Sequence, residues 1–321
     1  MAARSDAILL EKRKGIAYIT FNRPKVLNAF RPMDYCLLDD LVNDCDQDPK
    51  VRAIIFTGKG RAWSVGDDVA VALRGPAQRK LVAEDPVQAL IWDGKYLELA
   101  MSRRLIATQQ TCKTLLNSGK VAIAAVNGIC YIAEYLYAMD FVLAAEHATF
   151  AQGDVKVGIC PIGSSTQLAP RVLGRRRATE LLLKAELIPA QEACRLGLVN
   201  QVVPAERLME EAEALARQVS RYSASAIKLT KLLMTKAQEL PLQEGLEQEV
   251  LMCGLSLQSG DYERYARKFL AKSGKTERKG ARRSTAQGER AVPAARPAAE
   301  TRRTASPRAA GRAARAGAGS K

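Results

Sequence analysis

NGICYIAEYLYAMDFVLAAEHATFAQGDVKVGICPIGSSTQLAPR, residues 127–171, decides how this chain is read. It sets two acids, Glu134 and Asp154, in mostly apolar surroundings punctuated by Gly and Pro. Glu134 is the only charge between Tyr131 and Met139, so its side chain either escapes to solvent or is kept in a dry site for a purpose. An edge-exposed Glu is the plain alternative. Paired acids of this kind suggest water or proton chemistry, because perturbed carboxylates gather at functional sites.

Around this stretch, strand-like and helix-like segments alternate. Ile8–Leu10 and Ile16–Phe21 flank a turn at Lys14-Gly15, and Ala53–Thr57, Val121–Val126, Phe141–Ala144 and Thr149–Ala151 read as further strands. Helical spacing of Met33, Leu37, Leu38, Leu41 and Val42 predicts a helix from Pro32 to Asp46. Residues 70–118 read as mostly helical, and Tyr131–Met139 as a helix. More helices are expected over Ser165–Leu173, Arg176–Lys184, Ala190–Arg195, Glu206–Tyr222, Ala224–Ala237 and Leu242–Leu257. Uniformly apolar strands in repeated strand–turn–helix units indicate an α/β protein whose sheets are covered on their faces.

Of the 321 residues 47% are hydrophobic and only 5% aromatic, so the core is mostly Leu, Val, Ile and Ala. No run approaches the roughly 18 apolar residues of a membrane span, and MAARSDAILLEKRKG lacks the apolar segment of a secretory leader. A cytoplasmic protein is expected. Seven Cys without a CxxC pair suggest reduced thiols rather than a disulfide frame. With a single His147 and no ligand cluster at metal spacing, neither metal catalysis nor a Ser-His-Asp triad is expected.

The net charge of +15 is unevenly placed: residues 273–321 hold 13 Lys and Arg against 3 Glu, leaving only +5 for the rest. That tail is Ala, Arg, Gly, Pro, Ser and Thr with almost no large apolar side chain, a composition expected to be disordered. Its basicity could touch RNA, though a solvated extension is the simpler reading, and otherwise no nucleic-acid partner is expected. The domain plan is a core over 1–204, a helical region over 205–272 and the tail over 273–321.

In order along the chain, NRPKVLNAF (22–30), IIFTGKGRAWSVGDD (54–68), VAIAAVNG (121–128), Glu134 with Asp140 six later, FAQGDVKVGICP (150–161), TQLAPRVLG (166–174) and AxxACRLGLVNQVVP (190–204) resemble the crotonase family of enoyl-CoA hydratases and isomerases. The resemblance covers about residues 7–272. It implies a crotonase-like spiral of ββα units with C-terminal helices that assemble trimers or trimer pairs, an acyl-CoA thioester as substrate, and no cofactor beyond that CoA.

The resemblance also implies an oxyanion hole of two backbone N–H groups that hold the thioester oxygen as it gains charge. These fall on Asp67 and, three residues before the acid, Tyr131. An acid at 67 is unusual there, since its charge opposes an enolate unless it points away. The family usually has consecutive glycines where this chain has Tyr131-Ile132-Ala133, and here the span from Asn127 to Glu134 is about two residues shorter. Glu134 and Asp154 align with the two catalytic acids of hydratases; the second is usually Glu, so Asp154 is one methylene shorter. CoA is expected along Lys25, Val26 and Leu27, with Ala62, Ser64, Gly66 and Asp68, the last doubling as a helix N-cap. Arg267, Lys268 and Lys272 could clamp a phosphate, Trp92, Tyr96, Met101 and Leu105 could roof the acyl pocket, and Arg175–Arg177 reads as a solvated face. The resemblance points first to a hydratase and leaves an isomerase, dehydratase or thioester hydrolase open as other uses of such a site. A non-catalytic binding protein is the further alternative.

Overall fold

The computed structural model describes residues 6–69 and 99–271, with side chains over 6–69 and 104–271. The chain divides into one unit over Met1–Lys268 and another over Phe269–Lys321, and nearly all described residues belong to the first.

Two sheets organise the first unit. The larger has six strands in the order β1 (Ile8–Arg13), β2 (Ile16–Phe21), β3 (Ala53–Gly58), β5 (Val121–Val126), β7 (Phe141–Ala145) and β10 (Gln201–Val203). Only the β1–β2 hairpin is antiparallel; from β2 onward each neighbour runs parallel. Every residue of β5 is buried, as a parallel strand covered on both faces requires. The smaller sheet holds β4 (Ala62–Ser64), β6 (Ile129–Cys130), β8 (Thr149–Phe150) and β9 (Ile188–Pro189).

The short strands follow the long ones. After β3, β5 and β7 the chain turns a tight corner and enters β4, β6 and β8, which lie side by side and parallel. At one corner the backbones come so close that a Cβ on Gly128 would stand 2.1 Å from the Arg61 carbonyl oxygen, so only glycine fits. Asn127 locks the same corner: its Oδ1 accepts from the Gly58 N–H at 3.0 Å and its Nδ2 donates to the Gly60 carbonyl at 2.8 Å. The three loops leaving β4, β6 and β8 therefore emerge together, and they carry Asp67, Glu134 and Asp154.

Helices cover the sheets: α1 (Pro32–Gln47), α2 (Leu99–Asn117), α3 (Ser165–Leu173), α4 (Arg175–Lys184), α5 (Ala190–Leu196), α6 (Leu208–Val219), α7 (Ala224–Lys236) and α8 (Leu242–Gln258), then a helical stretch over 261–271. Pro32 opens α1 at the position where a missing N–H costs nothing, and Asp34 accepts from the Arg31 backbone N–H at 2.9 Å. The buried face of α1 is Tyr35, Leu38, Val42 and Cys45, whereas Met33, expected inside, is exposed. An edge-to-face aromatic chain, Trp63–Phe21–Phe30–Tyr35, with centroids 4.9–5.0 Å apart, runs from the core to the loops that hold the acids.

Residues 131–139 differ from expectation. Only Leu136–Ala138 makes a short 3-10 turn, because Tyr131 and Ile132 continue the extended path of β6. Trp92, Tyr96, Lys272 and the tail over 273–321 lie outside the described residues, as does the side chain of Met101; Leu105 is half-buried on α2.

Candidate active site

Glu134 is 4% exposed and sits in the loop after β6, inside turns closed by the Leu136 and Tyr137 N–H groups donating to the Ala133 carbonyl. Asp154 opens a 3-10 turn after β8 and is half-buried. Between them lies Gln152, itself 2% exposed. Its Nε2 donates to Glu134 Oε2 at 3.2 Å and to Asp154 Oδ2 at 2.6 Å, so one amide group bridges the two carboxylates. Gln152 Oε1 is buried with no hydrogen-bond partner, an acceptor left available on the same group.

These residues line a cavity of about 210 Å³ together with Tyr35, Asp67, Arg104 and Tyr131. Burial raises both acids. Glu134 is pushed up to about 8, first by desolvation and then by the nearby Asp154, and Asp154 is raised by its own desolvation while the Gln152 amide pulls it back. The two acids are thus unlike. Glu134 holds a proton at neutral pH, and Asp154, less buried and better solvated, gives its proton up first.

Asp67 meets the concern its charge raised. Tyr35 OH donates to Asp67 Oδ1 at 2.6 Å, and Arg104 Nη2 lies 2.6 Å from Asp67 Oδ2. The side chain is tied down by partners from α1 and α2. Its backbone is also set: the Phe30 N–H donates to the Gly66 carbonyl and the Asp68 N–H to the Phe30 carbonyl, a ladder in which the Asp67 amide takes no part.

Tyr131 does not have the free amide expected of it. Its N–H donates to the Ser64 carbonyl at 2.9 Å, a rung of the β4–β6 ladder. The shortened span between Asn127 and Glu134 keeps this segment extended, so the amide is spent on the sheet instead of opening a helix. The Tyr131 ring packs on Gly153, where a Cβ would come within 3.0 Å of it, and Ile132 Cγ2 stands 3.0 Å from the Cβ position of Gly66.

Of the residues expected along CoA, only Gly66 lines this cavity. Lys25 and Val26 are exposed on a 3-10 turn, and the Leu27 carbonyl accepts from the Val65 N–H at 3.2 Å. Ala62 and Ser64 are fully buried, Ser64 Oγ donating to the Asn28 carbonyl at 2.7 Å. Asp68 pairs with Arg23 at 3.0 Å; the helix it was expected to cap lies outside the described residues. Arg267 pairs with Glu263, Arg177 pairs with Glu180, and His147 sits exposed beside the Asn127 carbonyl.

Gln152, Arg104 and Tyr35 were not singled out from sequence. Gln152 had a usable signal only in its nearness, two residues before Asp154, because Gly153 takes a helical conformation and Asp154 opens a 3-10 turn. Nothing in the sequence around Arg104 or Tyr35 marks them.

Residues 11–275 match the family model described as enoyl-CoA hydratase/isomerase. A protein of Mycobacterium bovis named "Probable enoyl-CoA hydratase" is 31% identical over 243 residues, 75% of this chain and 86% of its own. A crotonyl-CoA hydratase of Syntrophomonas wolfei is 30% identical, covering 83% of this chain and 96% of its own. Among solved structures, an enoyl-CoA hydratase subunit of Geobacillus kaustophilus superimposes with a TM-score of 0.70 at 29% identity, over 83% of this chain and 95% of that one.

Proposed function

Because this chain belongs to the enoyl-CoA hydratase/isomerase family, we propose that it adds water across the α,β double bond of an enoyl-CoA thioester, with Glu134 and Asp154 moving the protons. The observation that carries this is the single Gln152 amide touching both carboxylates in one cavity. Asp154, the acid that ionises first, takes a proton from water as its oxygen bonds to Cβ. The π electrons move to the thioester as an enolate, and neutral Glu134 then delivers its proton to Cα. Proton exchange with solvent then returns Asp154 to its carboxylate and Glu134 to its acid, restoring the starting state. The Asp67 amide, outside its local ladder, is the donor for the enolate oxygen.

CoA is proposed to run along Lys25, Val26 and Leu27 toward Gly66 and Asp68, with the buried Ala62 and Ser64 holding the backbone beneath this path, a reading supported by the bond from the Val65 N–H to the Leu27 carbonyl. Hydration asks for no cofactor besides the CoA of the substrate. A homotrimer in the cytoplasm is part of the same proposal. Among the described residues no helix is long and apolar enough to cross a membrane, and all seven cysteines are free thiols.

The half-exposed, shorter Asp154 favours a second reading, in which Glu134 alone shuttles a proton and the double bond migrates. A panel of enoyl-CoA thioesters with short, branched and aromatic acyl groups separates the two. Loss of the conjugated thioester's ultraviolet absorbance with formation of a β-hydroxyacyl product is expected. Turnover of none of them, or a shifted double bond with no hydroxyl group, would sink the hydratase assignment.

A further inference from the structure

The acid at position 67 sits where a developing negative charge must be held, and it has company. Arg104 Nη2 is 2.6 Å from Asp67 Oδ2, with only 5% of the arginine side chain exposed. The guanidinium carbon stands 5.0 Å from the centroid of the Tyr35 ring, and the Tyr35 hydroxyl donates to the other oxygen of Asp67. Three elements, α1, the loop after β4 and α2, thus meet in one ion-paired and hydrogen-bonded group on the cavity wall.

We propose that Arg104 is a positioning residue for hydration: by neutralising Asp67 and holding its carboxylate against Tyr35, it keeps the Asp67 amide usable as the oxyanion donor beside two further acids. The inference rests on the hydratase assignment. Its physical basis is charge counting. Facing this group across the cavity are Glu134, Asp154 and Lys156, and the buried Tyr135 lies within the electrostatic reach of Arg104. Asp67 acts to raise both Glu134 and Asp154, and Arg104 acts to lower Asp154. Without the guanidinium, three carboxyl groups would share a small dry space with an enolate, and each would oppose the others' ionisation. The Arg104 side chain is also a planar fork suited to a carboxylate, a geometry that a lysine reproduces in charge alone.

Four variants test this with crotonyl-CoA as the probe: Arg104→Gln, Arg104→Lys, Asp67→Asn and the double Arg104→Gln/Asp67→Asn. Arg104→Gln is expected to lower kcat about 100-fold, the scale of losing one oxyanion donor, with KM within about threefold of wild type. Its low-pH limb, set by Asp154, should move to higher pH. Removing the charge at 67 in the same chain should recover at least about tenfold of kcat and return the limb, since the charge that needed neutralising is gone. Arg104→Lys should fall between wild type and Arg104→Gln. The clamp is overturned if the double variant is no faster than Arg104→Gln, or if Arg104→Gln matches wild type.

If Arg104→Gln fails to fold, the comparison of Arg104→Lys with wild type decides: an unchanged pH limb and kcat refute the clamp. Should wild type turn over no enoyl-CoA, the hydratase assignment falls by itself, and the clamp is then read from carboxyl carbon NMR. Asp154 should titrate at higher pH in Arg104→Gln than in wild type and return in the double variant; an unmoved Asp154 overturns it.

Discussion

Gly163 rests directly on Glu134: a Cβ added at Gly163 would stand 2.7 Å from Glu134 Cγ and 2.6 Å from Thr108 Cγ2. The glycine also has φ +64°, a conformation that side chains disfavour. It therefore acts as a backstop that fixes how far the Glu134 side chain can retreat from Gln152. Gly163→Ala is expected to cost about 1–3 kcal/mol of stability through overpacking. The same change should lower kcat by about tenfold or more, because displacement of a proton donor by a fraction of an ångström is felt at the reacting atoms. Melting curves and steady-state rates read the two effects separately; a stable variant with full activity would mean that Glu134 has room to spare.

The pH behaviour of Glu134 has a definite sign. Its pKa in the folded chain is about 8, above the usual 4.5, so folding binds a proton there. Its contribution to stability is complete below about 4.5 and is lost as the pH rises through about 8. Glu134→Gln should therefore melt above wild type at pH near 9, with the advantage shrinking as the pH falls towards 5. Activity should fall in the same direction, with kcat/KM of wild type declining above about pH 8 as the acid is lost. A Glu134→Gln melting advantage independent of pH would contradict the buried, protonated state.

Asp140 and Lys231 tie helix α7 to the main sheet. Lys231 Nζ is 2.7 Å from Asp140 Oδ2 and also donates to the carbonyls of Leu115 and Lys120, while the same Asp140 oxygen accepts from the Ala122 N–H at 2.8 Å. Both groups are largely buried, and deleting one strands the other. Lys231→Met should lose about 3–5 kcal/mol in urea unfolding. Combining Lys231→Met with Asp140→Leu, which replaces both charges by apolar groups of similar volume, should recover part of that loss; equal losses in single and double variants would argue that the ion pair is not the issue.

Among the described residues helix α8 has no buried side chain, and it exposes Leu242, Leu246, Val250, Leu251 and Leu255. An apolar face of this extent marks an association surface, in keeping with the proposed homotrimer. Sedimentation should give a trimer for wild type and smaller species for Val250→Asp with Leu251→Asp. A monomeric wild type would remove the trimer from the proposal.

Much of this fold could be read from the residues because its signals are local. The all-apolar run of β5, the Pro-led start of α1 and the bounds of Ser165–Leu173 depend on near neighbours in sequence. Glu134 and Asp154 were also legible, one as a lone charge in an apolar run and the other through its family motif. What escaped depends on tertiary context. Tyr131–Met139 has helix-compatible residues, yet the β4–β6 ladder captures the Tyr131 amide and holds the segment extended. Tyr35 and Arg104 carry no local mark in sequence, and only packing places them on the two oxygens of Asp67.

The most direct measurement is hydration of crotonyl-CoA in heavy-oxygen water by wild type, Glu134→Gln and Asp154→Asn, with the product weighed by mass spectrometry. Wild type should give β-hydroxybutyryl-CoA carrying the heavy oxygen, and each substitution should slow its formation by about 100-fold or more. Unlabelled product from wild type, or labelled product formed at undiminished rate by both variants, would contradict a hydration run by this pair of acids.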